Sequence, residues 1–146
     1  MIKYTCGLFI ILENKLLVVH PTGHKKNSLS IPKGIFDNSI DESHLDAAIR
    51  ECFEETNLKI NIDDGNIIDI GLEKYKNGNK ILHGFSFKIN KNFDYYKNNC
   101  YICNSYFDYN GKKTSEVDKI FWIDLTSNEI KYLHGTQQLL LNKIII

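Results

Sequence analysis

Residues 50–58 read RECFEETNL, with glutamates at 51, 54 and 55 and a single cation, Arg50, among them. On a helix these glutamates stand at i, i+3 and i+4, so their side chains converge over roughly one turn. Like charges at such spacings repel by about a few tenths of a kcal/mol per pair. A solvated helix face is the plain explanation, but exposed helices usually intersperse lysines. Hard oxygen donors gathered on one rigid element are what Mg²⁺ or Mn²⁺ requires, above all when phosphate and water complete the shell. The same helical wheel gathers Leu45, Ala48, Ile49, Cys52 and Phe53 on a different face, which predicts the buried one.

Working outward, Asp41 to Ser43 supply capping side chains, which predicts a helix starting near Ser43. Asn57 tolerates the left-handed conformation and predicts its end. Upstream, 4–12 and 15–20 are β-rich runs around a Glu13-Asn14 hairpin turn. HPTGHKKNS is a loop, LSIPKG a short strand stopped by Pro32 and Gly34, and IFDNSIDES a second loop. Downstream, strand-like runs fall at 58–62, 66–75, 80–90, 99–108 and 116–123, with turn signals at Asp64-Gly65, Asn77-Gly78 and Asn110-Gly111. Helical patterns close the chain at 126–133 and 136–144. No repeat or low-complexity tract interrupts this order, so residues 1–146 are expected to form one mixed domain with a sheet and at least two helices.

A chain of 146 residues with 42% hydrophobic content is long enough to bury a core without disulfides. Its charges balance, 18 basic against 18 acidic, so no global charge argues for nucleic acid or a membrane surface. MIKYTCGLFIIL carries one lysine and a short apolar run without a cleavage site, which reads as a strand and not a signal peptide. No stretch approaches the roughly 18 apolar residues of a membrane span. A soluble, cytoplasmic protein is expected, with its four cysteines, Cys6, Cys52, Cys100 and Cys103, as reduced thiols. CYIC at 100–103 has the spacing of half a zinc site without a second half, and two packed strand thiols are the expectation.

Arg50 to Leu58, with Glu42 eight positions before the arginine and Gly34 further back, resembles the signature of the Nudix hydrolases. That signature runs Gly, Glu, Arg-Glu, an aliphatic residue, a spacer, Glu-Glu, a spacer, Gly and an aliphatic residue. From Glu42 to Glu55 the spacing agrees position by position. Seven residues separate Gly34 from Glu42, two more than the pattern has. Asn57 stands for its late Gly and Cys52 for its aliphatic residue, both mild changes. Ile31-Pro32-Lys33-Gly34 is similar to the PKG entrance of members that act on nucleoside and dinucleoside polyphosphates. GLFIIL and KLLVVH resemble the opening hairpin, EVDKIFWIDL the late strand, and more loosely KYLHGTQQLLLNKI a terminal helix.

The resemblance implies an α/β/α sandwich with a mixed central sheet. It implies Mg²⁺, or Mn²⁺, held by Glu51, Glu54 and Glu55 with the Gly34 backbone, Arg50 orienting these carboxylates, and Glu42 supporting them. A general base from a loop acid outside the box is also implied. Glu116, six residues before Trp122, is the candidate and Asp118 its neighbour, with the start of a strand as the plain alternative. Lys33 is expected to contact phosphate, whereas Lys25, Lys26, Lys112, Lys113 and His24 read more simply as solvated loop residues. The aromatics from Phe93 to Tyr109 offer either core strands or a base-stacking platform. A hydrolase cleaving a diphosphate linkage in a nucleoside or dinucleoside polyphosphate follows as the expectation, with a small-molecule nucleotide as its partner. The alternatives are an RNA 5′-end pyrophosphohydrolase and a non-catalytic nucleotide-binding module. The substrate's base and the oligomeric state are not legible.

Overall fold

Strand β1, Lys3–Leu12, is buried from Thr5 to its end, as a central strand covered on both faces must be. A turn with Glu13 at φ 57° leads into antiparallel β2, Lys15–Pro21. The two strands pair only at Ile11↔Leu16 and Leu12↔Lys15, then splay apart. The gap admits β3, Lys33–Ile35, which pairs with Thr5 to Gly7 of β1. After helix α1, His44–Thr56, come β4, Gly65–Lys74, and β5, Lys80–Ile89, the latter parallel to β1 along its whole length. Helix α2, Phe93–Asn98, precedes a separate hairpin of β6, Tyr106–Tyr109, and β7, Lys112–Ser115. Strand β8, Val117–Asp124, pairs with β2, and helix α3, Gly135–Leu141, ends the order. The main sheet runs β4-β5-β1-β2-β8, with β3 beside β1. This computed structural model describes residues 1–76 and 78–144.

Alternation along β1 builds two cores. Cys6, Leu8, Ile10 and Leu12 meet Ala47, Ala48 and Cys52 of α1, while Phe9 and Ile11 join Leu16 and Val18 against Leu140 and Leu141 of α3. Helices therefore cover both faces of a mixed sheet, the expected α/β/α arrangement. Among the described residues no helix is long and apolar enough to cross a membrane.

Helix α1 keeps its predicted ends. Ser43 accepts from the Asp46 amide at 3.1 Å, and Asn57 closes the last turn at φ 67°. Its buried face follows the wheel at Ala48 and Cys52, with Leu45 and Ile49 packed on the same core, but shifts in the last turn, which leans toward β3 and the 102–104 segment. Glu55 and Thr56 are buried while Phe53 is 42% exposed. The amides of Ile102 and Asn104 donate to the carbonyls of Thr56 and Glu54, tying that turn down.

Other expectations also shift. Residues 58–62 make no strand; Leu58 alone is a core residue there, and a 3-10 turn follows at Ile62–Asp64. The run at 99–108 is a strand only from Tyr106, and α2 replaces the pattern before it. Asn92, left-handed at φ 59°, and the Tyr96 hydroxyl both bond the buried Asp64 carboxylate at 2.7 Å, which folds that segment back as a helix. Cys100 and Cys103 therefore sit in a loop, the first exposed and the second buried, instead of packing as strand thiols. Lys33 and Gly34 begin a strand where the sequence suggested a stop. Residues 112–115, where Lys112 and Lys113 read as loop residues, form β7, and Asn110-Gly111 makes the predicted turn with both φ angles positive. Helical pattern 126–133 is a 3-10 segment at Asn128–Tyr132. Asn77 lies outside the described residues.

Candidate active site

Arg50 organises the acidic cluster. Its Nη1 donates to Glu54 Oε2 at 2.9 Å and to Glu51 Oε2 at 3.1 Å, so two of the three glutamates converge on one guanidinium nitrogen. Its other edge forms a bidentate pair with Asp41, Nε to Oδ1 at 2.8 Å and Nη2 to Oδ2 at 2.9 Å. These partners raise the Arg50 pKa, so the cation is permanent.

Asp41, and not Glu42, is therefore the acid that fixes the arginine. The turn from Asp37 to Asp41 decides this. The Asp41 amide donates to the Asp37 carbonyl at 2.8 Å, and the Asp37 amide returns a bond to Asp41 Oδ2 at 3.0 Å. That turn aims Asp41 inward, 6% exposed, and leaves Glu42 facing solvent. The bond from Arg50 holds the Asp41 carboxyl below its ordinary pKa.

Glu51 and Glu55 move the opposite way. Burial first, then repulsion from Glu54, pushes Glu51 up to about 7. Burial likewise pushes Glu55 up to about 8, although Lys33 pulls against it. Glu55 Oε1 accepts from the Lys33 amide at 3.2 Å. Glu116, in the bend between β7 and β8, lines a cleft with Glu55 and adds to the repulsion on both glutamates. A Cβ placed on Gly34 would stand 1.9 Å from Glu51 Cδ, and that position must be glycine for Glu51 to lie where it does.

The fold thus brings together Gly34, Lys33, Arg50, Glu51, Glu54, Glu55 and Glu116, drawn from β3, α1 and the approach to β8. Among the described residues no three His, Cys, Asp or Glu side chains stand as a ready-made ligating array. Arg50, seated between Glu51 and Glu54, offsets part of their charge. The donor set itself, all carboxylate oxygen and short of positive charge, suits a hard divalent cation.

Of the clefts beside this group, two share a wall at Lys33. One, of about 300 Å³, is lined by Lys33, Glu55, Glu116 and Phe107. The other, of about 350 Å³, is lined by Lys33, Tyr75, Lys80, Tyr132 and His134. Pro21, His24, Ser30 and Lys33 belong to both walls. Tyr75, Tyr132 and His134 were not legible in sequence, since they come from distant segments. Of the aromatics from Phe93 to Tyr109, Phe107 alone lines either cleft; Tyr96 is core and Tyr101 packs against Trp122 at 6.2 Å. Lys112 and Lys113 line a different cavity with Tyr106 and Ile102. Asp118 is taken by His20, whose Nδ1 lies 2.6 Å away. Burial pushes the Cys6 and Cys52 thiols up to about 12, which removes them as nucleophiles.

The NUDIX domain family matches residues 1–140. The chain belongs to that family. As a Nudix hydrolase it acts on phosphorus-containing anhydrides. It is 37% identical over 110 residues to an uncharacterized 17.7 kDa protein encoded in the e-segB intergenic region of Enterobacteria phage T4, covering 71% of this chain and 70% of that protein. Its fold is similar to that of a bifunctional NMN adenylyltransferase/ADP ribose pyrophosphatase from Francisella tularensis, solved with AMP and a manganese ion, at TM-score 0.65 and 20% identity. That match covers 99% of this Nudix chain but 41% of the Francisella one, so the chain spans less than half of its length. An Ap4A hydrolase from C. elegans matches at TM-score 0.63 and 20% identity, covering 98% of this chain and 95% of that one.

Proposed function

We propose that this Nudix hydrolase uses Mg²⁺ or Mn²⁺ to cleave a diphosphate linkage in a nucleoside diphosphate-linked compound, a nucleoside or dinucleoside polyphosphate. The observation that carries the proposal is the convergence of Glu51 and Glu54 on Arg50 Nη1, with Glu51 seated where only a glycine fits opposite it. An acidic cluster so constrained has no use in a solvated helix face.

Glu51, Glu54 and Glu55 would hold the metal, with the Gly34 backbone beside them. A bound divalent cation neutralises phosphate charge and lowers the pKa of a bound water. Arg50 keeps two carboxylates aimed at one point, and Asp41 keeps Arg50 from turning away. Lys33 presents its ammonium to the anionic bridge of the substrate from the wall that both clefts share. Glu116, which lines one cleft with Lys33, takes the proton of the attacking water on its carboxylate.

The paired clefts support a substrate with a ring system at each end of a phosphate bridge. Tyr75, Tyr132 and His134 offer aromatic faces on one side of Lys33 and Phe107 on the other. The likeness to an Ap4A hydrolase and to an ADP ribose pyrophosphatase is consistent with that class. We infer a cytoplasmic setting, which the four free cysteines fit.

The test is turnover of purified protein with Mg²⁺ and with Mn²⁺ on nucleoside triphosphates, diadenosine polyphosphates, ADP-ribose and 5′-triphosphorylated RNA. Release of nucleotide or phosphate from the first two groups is expected. Silence across the panel would sink the proposal, and activity confined to RNA would redirect it.

A further inference from the structure

His20 is 7% exposed at the end of β2, and its ring makes two bonds of a particular kind. Nδ1 lies 2.6 Å from Asp118 Oδ1, and Nε2 lies 2.8 Å from the carbonyl oxygen of Lys25. The ring thus bridges the Asp118 carboxylate of β8 and the backbone of the 22–28 loop. The backbone is bent to allow this. The β2–β8 register pairs His20 with Lys119 and then Pro21 with Val117, stepping over Asp118 in a bulge. Bulges of this kind re-aim a side chain, and here the one re-aimed is Asp118.

The Lys25 carbonyl also accepts from the Ser28 amide at 2.9 Å, and the Thr22 amide donates to the Glu116 carbonyl at 3.0 Å. The loop of residues 22–28 is thus tied at Thr22 to Glu116, just before β8, and at Lys25 to His20 of β2, whose ring is held in turn by Asp118 of β8. His24 of that loop lines both clefts with Lys33, and Lys25 and Lys26 carry its positive charge.

We propose that His20 and Asp118 form a clasp that holds the 22–28 loop against the cleft, and so positions the polyphosphate of the substrate beneath His24 and the loop lysines. His20 is a positioning residue; it touches no reacting group. The inference rests on the cleft being the phosphate site of a Nudix hydrolase.

Two measurements test it. Limited trypsinolysis reads the loop directly through cleavage after Lys25 and Lys26. Asp118→Ala and His20→Phe should be cut several-fold faster there than the native protein. Asp118→Asn, whose amide oxygen still accepts from His20, should stay close to the native rate. Steady-state kinetics on whichever panel substrate is turned over should show KM raised about tenfold in Asp118→Ala and His20→Phe with kcat within about twofold, and Asp118→Asn near native. Melting temperatures show which variants remain folded, and Asp118→Ala, at an exposed position, is the safe one. Unchanged trypsin rates overturn the clasp. A fall in kcat without a rise in KM for Asp118→Ala also overturns it, since Asp118 would then act on the reacting water. If the native protein hydrolyses nothing, the functional proposal fails on its own, and the trypsin comparison still decides whether the clasp holds the loop.

Discussion

Gly34 and Glu51 are packed so closely that a side-chain carbon on the first would stand 1.9 Å from the carboxyl carbon of the second. The contact joins β3 to α1, and it sets where the first carboxylate of the acidic cluster lies. Gly34→Ala should displace Glu51 by about 1 Å, a shift that lowers turnover about 100-fold when catalytic groups are misplaced. Because Gly34 has no left-handed φ, the melting temperature should change little. Circular dichroism melts beside kcat/KM would check this, and an alanine variant with native activity would refute the role of the contact.

Asp41 and Glu42 are neighbours with opposite fates, which a pair of alanine substitutions should expose. Removing Asp41 leaves Arg50 without its bidentate partner and should lower stability by about 3 kcal/mol, as breaking a buried pair does. Glu42→Ala, on the solvent side, should stay within about 0.5 kcal/mol of native. Urea unfolding of the two variants supplies the comparison, and equal effects would mean that Arg50 does not depend on Asp41.

The acidic cluster should answer to divalent metal. Mn²⁺ or Mg²⁺ at saturating concentration should raise the melting temperature of the native protein by a few degrees, since a ligand that binds only the folded state stabilises it. Glu54→Gln should lose that rise together with turnover. Glu116→Gln should keep the rise yet lose about 10² to 10⁴ in kcat, the usual contribution of a general base. A Glu116→Gln enzyme with native kcat would remove Glu116 from the chemistry.

Away from the cleft, His44 Nδ1 lies 2.8 Å from His83 Nδ1, whose ring is held in turn by Asp69 at 2.9 Å from Nε2. A bond between two ring nitrogens needs one of them bare. Burial, then the charge of His83, holds the His44 pKa below its ordinary 6.5. A lowered folded pKa means that the unfolded chain binds the proton more readily. The stability from this group is therefore present above 6.5 and is lost as pH falls through that value and below. The melting temperature should decline between pH 7 and 5, and His44→Phe, which can keep the ring contacts to Tyr4 and Phe36, should decline less. Identical pH profiles for the two proteins would exclude His44 as the source.

Much of this was legible from residue order because its causes are local. Ser43 and Asn57 bound α1 through hydrogen bonds within one turn of themselves, and the alternation in residues 4–12 builds two cores whatever packs on them. The spacing of Arg50, Glu51, Glu54 and Glu55 follows from helical geometry alone, and so did the family resemblance. Tertiary structure decided what depends on contacts between distant segments. Which acid meets Arg50 is set by the Asp37–Asp41 turn, not by the spacing to Glu42. The lean of α1's last turn toward β3 and the 102–104 segment buries Glu55 and exposes Phe53, while Ala48 and Cys52 stay buried as the wheel predicts. Asp64 draws Tyr96 into a helix where aromatic alternation read as strand. Lys33, Glu55, Glu116 and Phe107 meet in one cleft only because β1 and β2 splay after two residue pairs and let β3 in. Periodicity carries information over a few residues, whereas that opening is a property of the whole sheet.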